Sequence, residues 1–170
     1  MMGIENSYIG GAVMVGIGAV LIMDLWNLFL QRAFKISSLN FCLVGRWLSH
    51  MQTGTFTHAS IAAAPKRPVE CAIGWTAHYL IGIAFAIMLV VVTSGSWLEG
   101  PSLLPALLVG IGTVPIPYFI VQPALGFGMA AAKTPNPTHA RLKSLITHTV
   151  FGVGLYLSAF PVSYVMHMYA

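Results

Sequence analysis

Charge is what this sequence has least of. Eight Lys/Arg and four Asp/Glu make up 7% of 170 residues, against 57% hydrophobic. A soluble domain carries roughly 25% charged residues because its surface must face water. That scarcity, with a mean hydropathy of +0.81, excludes an ordinary soluble domain and makes lipid the solvent. Cysteine is nearly absent. Cys42 and Cys71 form neither a CxxC nor a zinc spacing, so neither a redox motif nor a structural zinc site is read from sequence. Both are expected on the cytoplasmic side, where thiols stay reduced, as small hydrophobes. No HExxH occurs, and no basic stripe interleaved with aromatics. The first gives no support to a zinc hydrolase and the second argues against a nucleic-acid partner.

What is present is long apolar runs. Residues 9–30, 71–93, 103–125 and 145–165 each reach the roughly 20 residues a helix needs to cross a bilayer. The expected fold is all-α: one polytopic domain over 1–170 with four transmembrane helices and the lipid bilayer as its partner. The first run begins beside Glu5 and has no basic n-region, so it reads as a retained helix and not a cleaved signal. Arg32, Lys35, Arg46, Lys66 and Arg67 lie between the first two runs, and Lys133, Arg141 and Lys143 between the last two. The opposite loop, "SGSWLEG", holds none. By the positive-inside rule both basic loops are cytoplasmic and both ends of the chain lie outside.

Two landmarks recur in order. "GIGAV" at Gly16–Val20 matches "GIGTV" at Gly110–Val114, and "HYLIGIAFA" from His78 matches "HTVFGVGLY" from His148. This predicts a two-fold internal repeat, helices one and two against helices three and four, related by an axis along the membrane normal. His78 and His148 then stand at matched depth in the cytoplasmic half. His78 shares its i±4 row with Gly74, Gly82 and Ala86, and His148 with Ser144 and Gly152. Small residues at that spacing mark helix–helix contacts, so both imidazoles are expected inside the bundle.

Asp24, in "LIMDLWNLF", is the acid inside the first run, with Asn27 on the same face. An ionised Asp at mid-helix costs about 2.5–3.5 kcal/mol even on insertion scales, so it needs a partner, for which helix four is a candidate, or a proton. Gln122 stands in "PIPYFIVQP", where Pro115, Pro117 and Pro123 remove donors and predict a kinked or broken helix. The segment 38–65 is expected to lie at the cytoplasmic interface. It opens with an amphipathic helix from an N-cap Ser38 to Met51, with Arg46 and His50 on one face. A hydroxyl-rich stretch around His58 follows, either solvated or dipping back to the bundle. His139 and His167 read as incidental, and Trp26, Trp47, Trp75 and Trp97 as belts at the membrane boundaries.

With these residues assembled, the chain resembles a bacterial family of four-helix inner-membrane proteins known only as a domain of unknown function. The resemblance rests on "MDLW", "GRWLSHM", "FTHASIAAAP", "GWTAHYLIGIAFA", "QPALGFG" and "SLITHTVFGVGLY". It implies a place in the inner membrane and carries no activity. The candidate polar set is Asp24, His78, His148, Gln122, Arg46, His50 and His58. Three functions can use it. One is proton- or cation-coupled transport, with oligomerisation expected of so small a carrier. Another is a structural or accessory subunit with no activity of its own. The last is a membrane-embedded metal enzyme or haem protein, with a metal ion on His78, His148 and Asp24. The sequence leans away from an enzyme and names no cofactor.

Overall fold

The computed structural model describes residues 2–168, with side chains from residue 8 onward. All the regular structure among them is helical. α1 spans Met2–Phe34, α2 Phe41–Met51, α3 Glu70–Val92, α4 Ser96–Glu99, α5 Leu103–Gly112, α6 Gln122–Leu125 and α7 Pro137–Met168. Four segments are long and apolar enough to cross a membrane: Tyr8–Phe34, Glu70–Val92, Leu103–Leu125 and Pro137–Met168. The first and last outrun the apolar runs read from sequence, because Arg32, Lys35, Arg141 and Lys143 sit at helix ends where charge reaches the headgroups. Large apolar side chains such as Leu25, Leu80, Val92, Leu104 and Tyr164 point outward, as a lipid solvent requires.

α1 packs against α3 and, along its length, against α7, while α5 packs on α7. The matched landmarks make matched contacts. A Cβ on Gly16 would meet Ile83 Cα at 2.6 Å, and one on Gly110 would meet Gly152 Cα at 2.7 Å. Each half thus closes its own helix pair through a glycine, letting backbones approach as membrane interfaces favour. Between the halves the match breaks. α1 and α7 are joined through Ala19 and Gly154, but α3 and α5 touch sparingly.

The third span is broken, as its prolines predict. α5 stops at Gly112, a π-helical turn covers Pro117–Val121 with Gln122 N–H donating to Pro117 O, and α6 ends at Gly126. Proline lacks the N–H an α-helix needs, so the chain changes pitch here. Gly126, at φ +91°, lies under Ala59. There the segment after α2 dips back to the bundle: His58 N–H donates to Ala124 O at 2.9 Å and Ile61 N–H to Leu125 O at 3.1 Å. Ile61 is fully buried.

Several expectations need correction. The N-cap of α2 is Asn40, whose side chain accepts from Cys42 N–H, not Ser38. Trp47 and Trp97 are packed inside, their indoles donating to Phe56 O and Ser102 O, and are not boundary belts. Most consequentially, Cys42 and Cys71 are joined in a disulfide with their Cα atoms 3.9 Å apart. Spacing gave no sign of it because the two sit 29 residues apart and meet only where α2 crosses α3. That crossing is made by Gly45 under the Glu70 carbonyl and Gly74 under the Phe41 carbonyl. Closing a loop of this length stabilises by about 3–4 kcal/mol on the chain-entropy model. Denatured without reductant, the purified chain should show no thiol reactive to a maleimide, and two after dithiothreitol. Two reactive thiols before reduction would exclude the bond.

Candidate functional site

The space between α3 and the α5–α6 break holds a half-open cavity of about 390 Å³. Its walls come from α1, α3, the α5–α6 break and α7, and its floor from Ser38, Leu39 and Phe41. His78, Gln122 and His148 all line it. The cavity therefore occupies the half of the bundle nearer the basic loops.

On one wall stands a carboxylate–imidazole pair. His78 Nε2 lies 2.9 Å from Asp24 Oδ1, and Tyr79 O–H donates to Asp24 Oδ2 at 3.2 Å. The side chains of His78 and Asp24 are 8% and 20% exposed, so both carboxylate oxygens are occupied in a shielded place. The partner of Asp24 comes from the second span, not the fourth. Phe41 lies flat against the His78 ring at a centroid distance of 3.9 Å, and Trp75 stands edge-on to it at 5.7 Å. These aromatics limit the imidazole's freedom to turn, and they come from opposite sides of the disulfide.

The other wall carries His148. Its Nδ1 is 2.8 Å from Thr113 Oγ1, and that hydroxyl donates to Gly110 O at 2.7 Å. A hydroxyl has one proton to give. Spent on Gly110, it leaves Thr113 Oγ1 to accept from His148 Nδ1–H, which in the neutral ring puts the free lone pair on Nε2. Gln122 Oε1 is buried without a partner, an unmet acceptor beside the cavity.

Arg46, His50 and His58 belong elsewhere. Arg46 Nε and Nη2 hold both Glu70 oxygens at 2.9 and 2.8 Å, while Nη1 donates to the carbonyls of Ile61, Ala62 and Ala64. The Glu70 carboxylate pulls the Arg46 guanidinium above its usual pKa. This is a clamp holding the dipping segment to α2 and α3. His50 Nε2 reaches Pro65 O at 3.0 Å, and the His58 ring stands edge-on to it at 5.1 Å with both nitrogens buried and unpartnered.

The expected three-ligand set of Asp24, His78 and His148 is not assembled. Among the described residues no group of three His, Cys, Asp or Glu converges as a metal site, because His148 is engaged by Thr113 while Asp24 faces His78. Sequence reading missed Tyr79, Thr113, Phe41 and Glu70. The first two were legible as neighbours, Tyr79 beside His78 and Thr113 inside the repeated "GIGTV". Phe41 and Glu70 carried no signal, since their roles arise at the α2–α3 crossing.

A family model for DUF2938, described as a protein of unknown function, matches residues 13–162. The chain belongs to the DUF2938 family. The match covers all four membrane-span-like segments in whole or in large part, so this cavity and its imidazole walls lie within the DUF2938 region. No curated protein matches the chain, and no solved structure does.

Proposed function

We propose that this DUF2938 protein moves protons across the membrane, by themselves as well as with a cargo that occupies the cavity between α3 and the α5–α6 break. The observation that supports this most is the Asp24–His78 pair: a carboxylate and an imidazole 2.9 Å apart, both largely buried, with the imidazole on a cavity wall. Ionisable side chains are costly at that depth and mark ion pathways by default. Histidine exchanges a proton in the physiological range, and Asp24 supplies the charge that holds it. His148 offers a second acceptor nitrogen on the opposite wall.

The proposed setting is a bacterial inner membrane with the basic loops in the cytoplasm and the two ends of the described chain outside, as the eight-to-none distribution of Lys and Arg favours. The Cys42–Cys71 disulfide then faces a reducing compartment, which makes it an exchangeable bond there. Alkaline phosphatase fused after Ala170 should be active, and an inactive fusion would reverse this orientation. A homo-oligomer is the proposed working unit.

The function is tested in liposomes loaded with a pH-sensitive dye and driven by a potassium diffusion potential. Wild-type protein should admit protons faster than empty liposomes. Asp24→Asn and His78→Ala should slow that entry by about tenfold or more, the scale on which positioned acid–base groups act, whereas His139→Ala should not change it. A rate equal to protein-free vesicles would sink the proposal. Loss of thermal stability in Asp24→Asn with no proton movement by the wild type would favour an accessory subunit.

A further inference from the structure

The cavity's charge has one sign. Lys143 is the one Lys or Arg among its lining residues, and no Asp or Glu lines it. The Lys143 amine donates to the Ser37 carbonyl, and the ion pairs among the described residues are Arg46–Glu70 and His78–Asp24. A cation thus stands at the basic end of an intramembrane cavity with no anion to balance it. Next to it on α7 come Ser144, Thr147 and His148, then Phe151. The rest of the lining is mostly apolar, with Val20, Met23, Ile81 and Phe85 from α1 and α3 and Val121 opposite, broken by Asn27, His78, Thr113 and Gln122. Small-ligand sites have this composition, mostly apolar with a few placed polar groups, and about 390 Å³ lies toward the low end of their roughly 300–1,000 Å³ range.

We infer that the cavity binds a single-chain organic carboxylate, its head at Lys143 and its chain between α3 and the α5–α6 break. This rests on the reading that the cavity is a working site, and names the cargo's chemical class. A carboxylate supplies the missing anion and accepts from the hydroxyls beside Lys143. A single chain suits the volume, which a two-chain phospholipid would overfill. Asp24, held by His78 and Tyr79, adds no acid to the lining and so does not repel the head.

The test is equilibrium binding of decanoate to the whole protein in phosphatidylcholine nanodiscs, with empty discs as the partition control. Decanoate should bind saturably, about tenfold or more tighter than decanol or decyltrimethylammonium, since a hydrogen bond to a charged group is worth at least that factor. Lys143→Gln should lose the preference and Lys143→Arg should keep it, each checked by its melting temperature. Three results would each overturn the inference: decanol binding as well as decanoate, Lys143→Gln binding like wild type, or displacement of decanoate by phosphatidylglycerol placed in the disc. The decanol comparison uses wild-type protein and survives a variant that fails to fold. Binding in discs reads the ligand class, whereas proton entry into liposomes reads the transport proposal, so each can fail while the other stands.

Discussion

Glu70→Ala is expected to destabilise the protein by about 3–5 kcal/mol, the usual cost of removing one partner from a buried ion pair. The side chains of Arg46 and Glu70 are 7% and 11% exposed, and they meet through two parallel hydrogen bonds. With the carboxylate gone, the guanidinium keeps three carbonyl acceptors but no counter-charge, and Arg67 N–H loses its acceptor as well. At about 2–4 °C per kcal/mol for a chain of this size, the melting temperature in detergent should fall by roughly 6–20 °C. Glu70→Gln, which keeps the shape and one acceptor, should fall less. Arg46→Lys should not rescue the wild-type value, because an ammonium cannot span two carboxylate oxygens and three carbonyls at once. A shift within error for Glu70→Ala would mean that the pair does not hold α2 to α3.

Gly74→Ala should, with Gly45→Ala, be among the most damaging single methyl additions. Its Cβ would fall on the Phe41 carbonyl, as one on Gly45 would fall on the Glu70 carbonyl. Backbone is what yields least, so the two helices must part. Overpacking costs about 1–3 kcal/mol and occasionally more, and here the same crossing carries the Cys42–Cys71 bond, the Arg46–Glu70 pair and the stacking of Phe41 on His78. The expected cost is therefore at or above the top of that range, with proton entry also reduced because Phe41 leaves the imidazole. Gly10→Ala is the control. Nothing lies within 4 Å of its Cβ, and replacing a helical glycine there should be neutral or stabilise by about 0.5–1 kcal/mol. Equal melting temperatures for the two variants would refute the close crossing.

How much of this was legible before the structure depends on how far apart in sequence the contacting groups lie. The break around Pro115, Pro117 and Pro123 was legible because proline acts on its own backbone. The inward rows of His78 and His148 were legible because helical periodicity places Gly74, Gly82 and Gly152 beside them in the same segment. The disulfide, the glycine crossing and the Arg46–Glu70 clamp were not, since each joins α2 to α3 across a connection without periodicity. Composition had placed Arg46 and His50 on one amphipathic face. The clamp shows that face turned inward, against the segment that returns through Ile61 to α6.

Sequence by itself determined the solvent, the four spans, the asymmetry of basic charge and which polar side chains lie at membrane depth, because each follows from local composition and a 3.6-residue period. Tertiary structure alone decided which of those side chains meet: Asp24 with His78, His148 with Thr113, and Lys143 at a cavity with no acid in it. Partnership between helices depends on their relative rotation and on where backbones approach most closely, and no single segment encodes that.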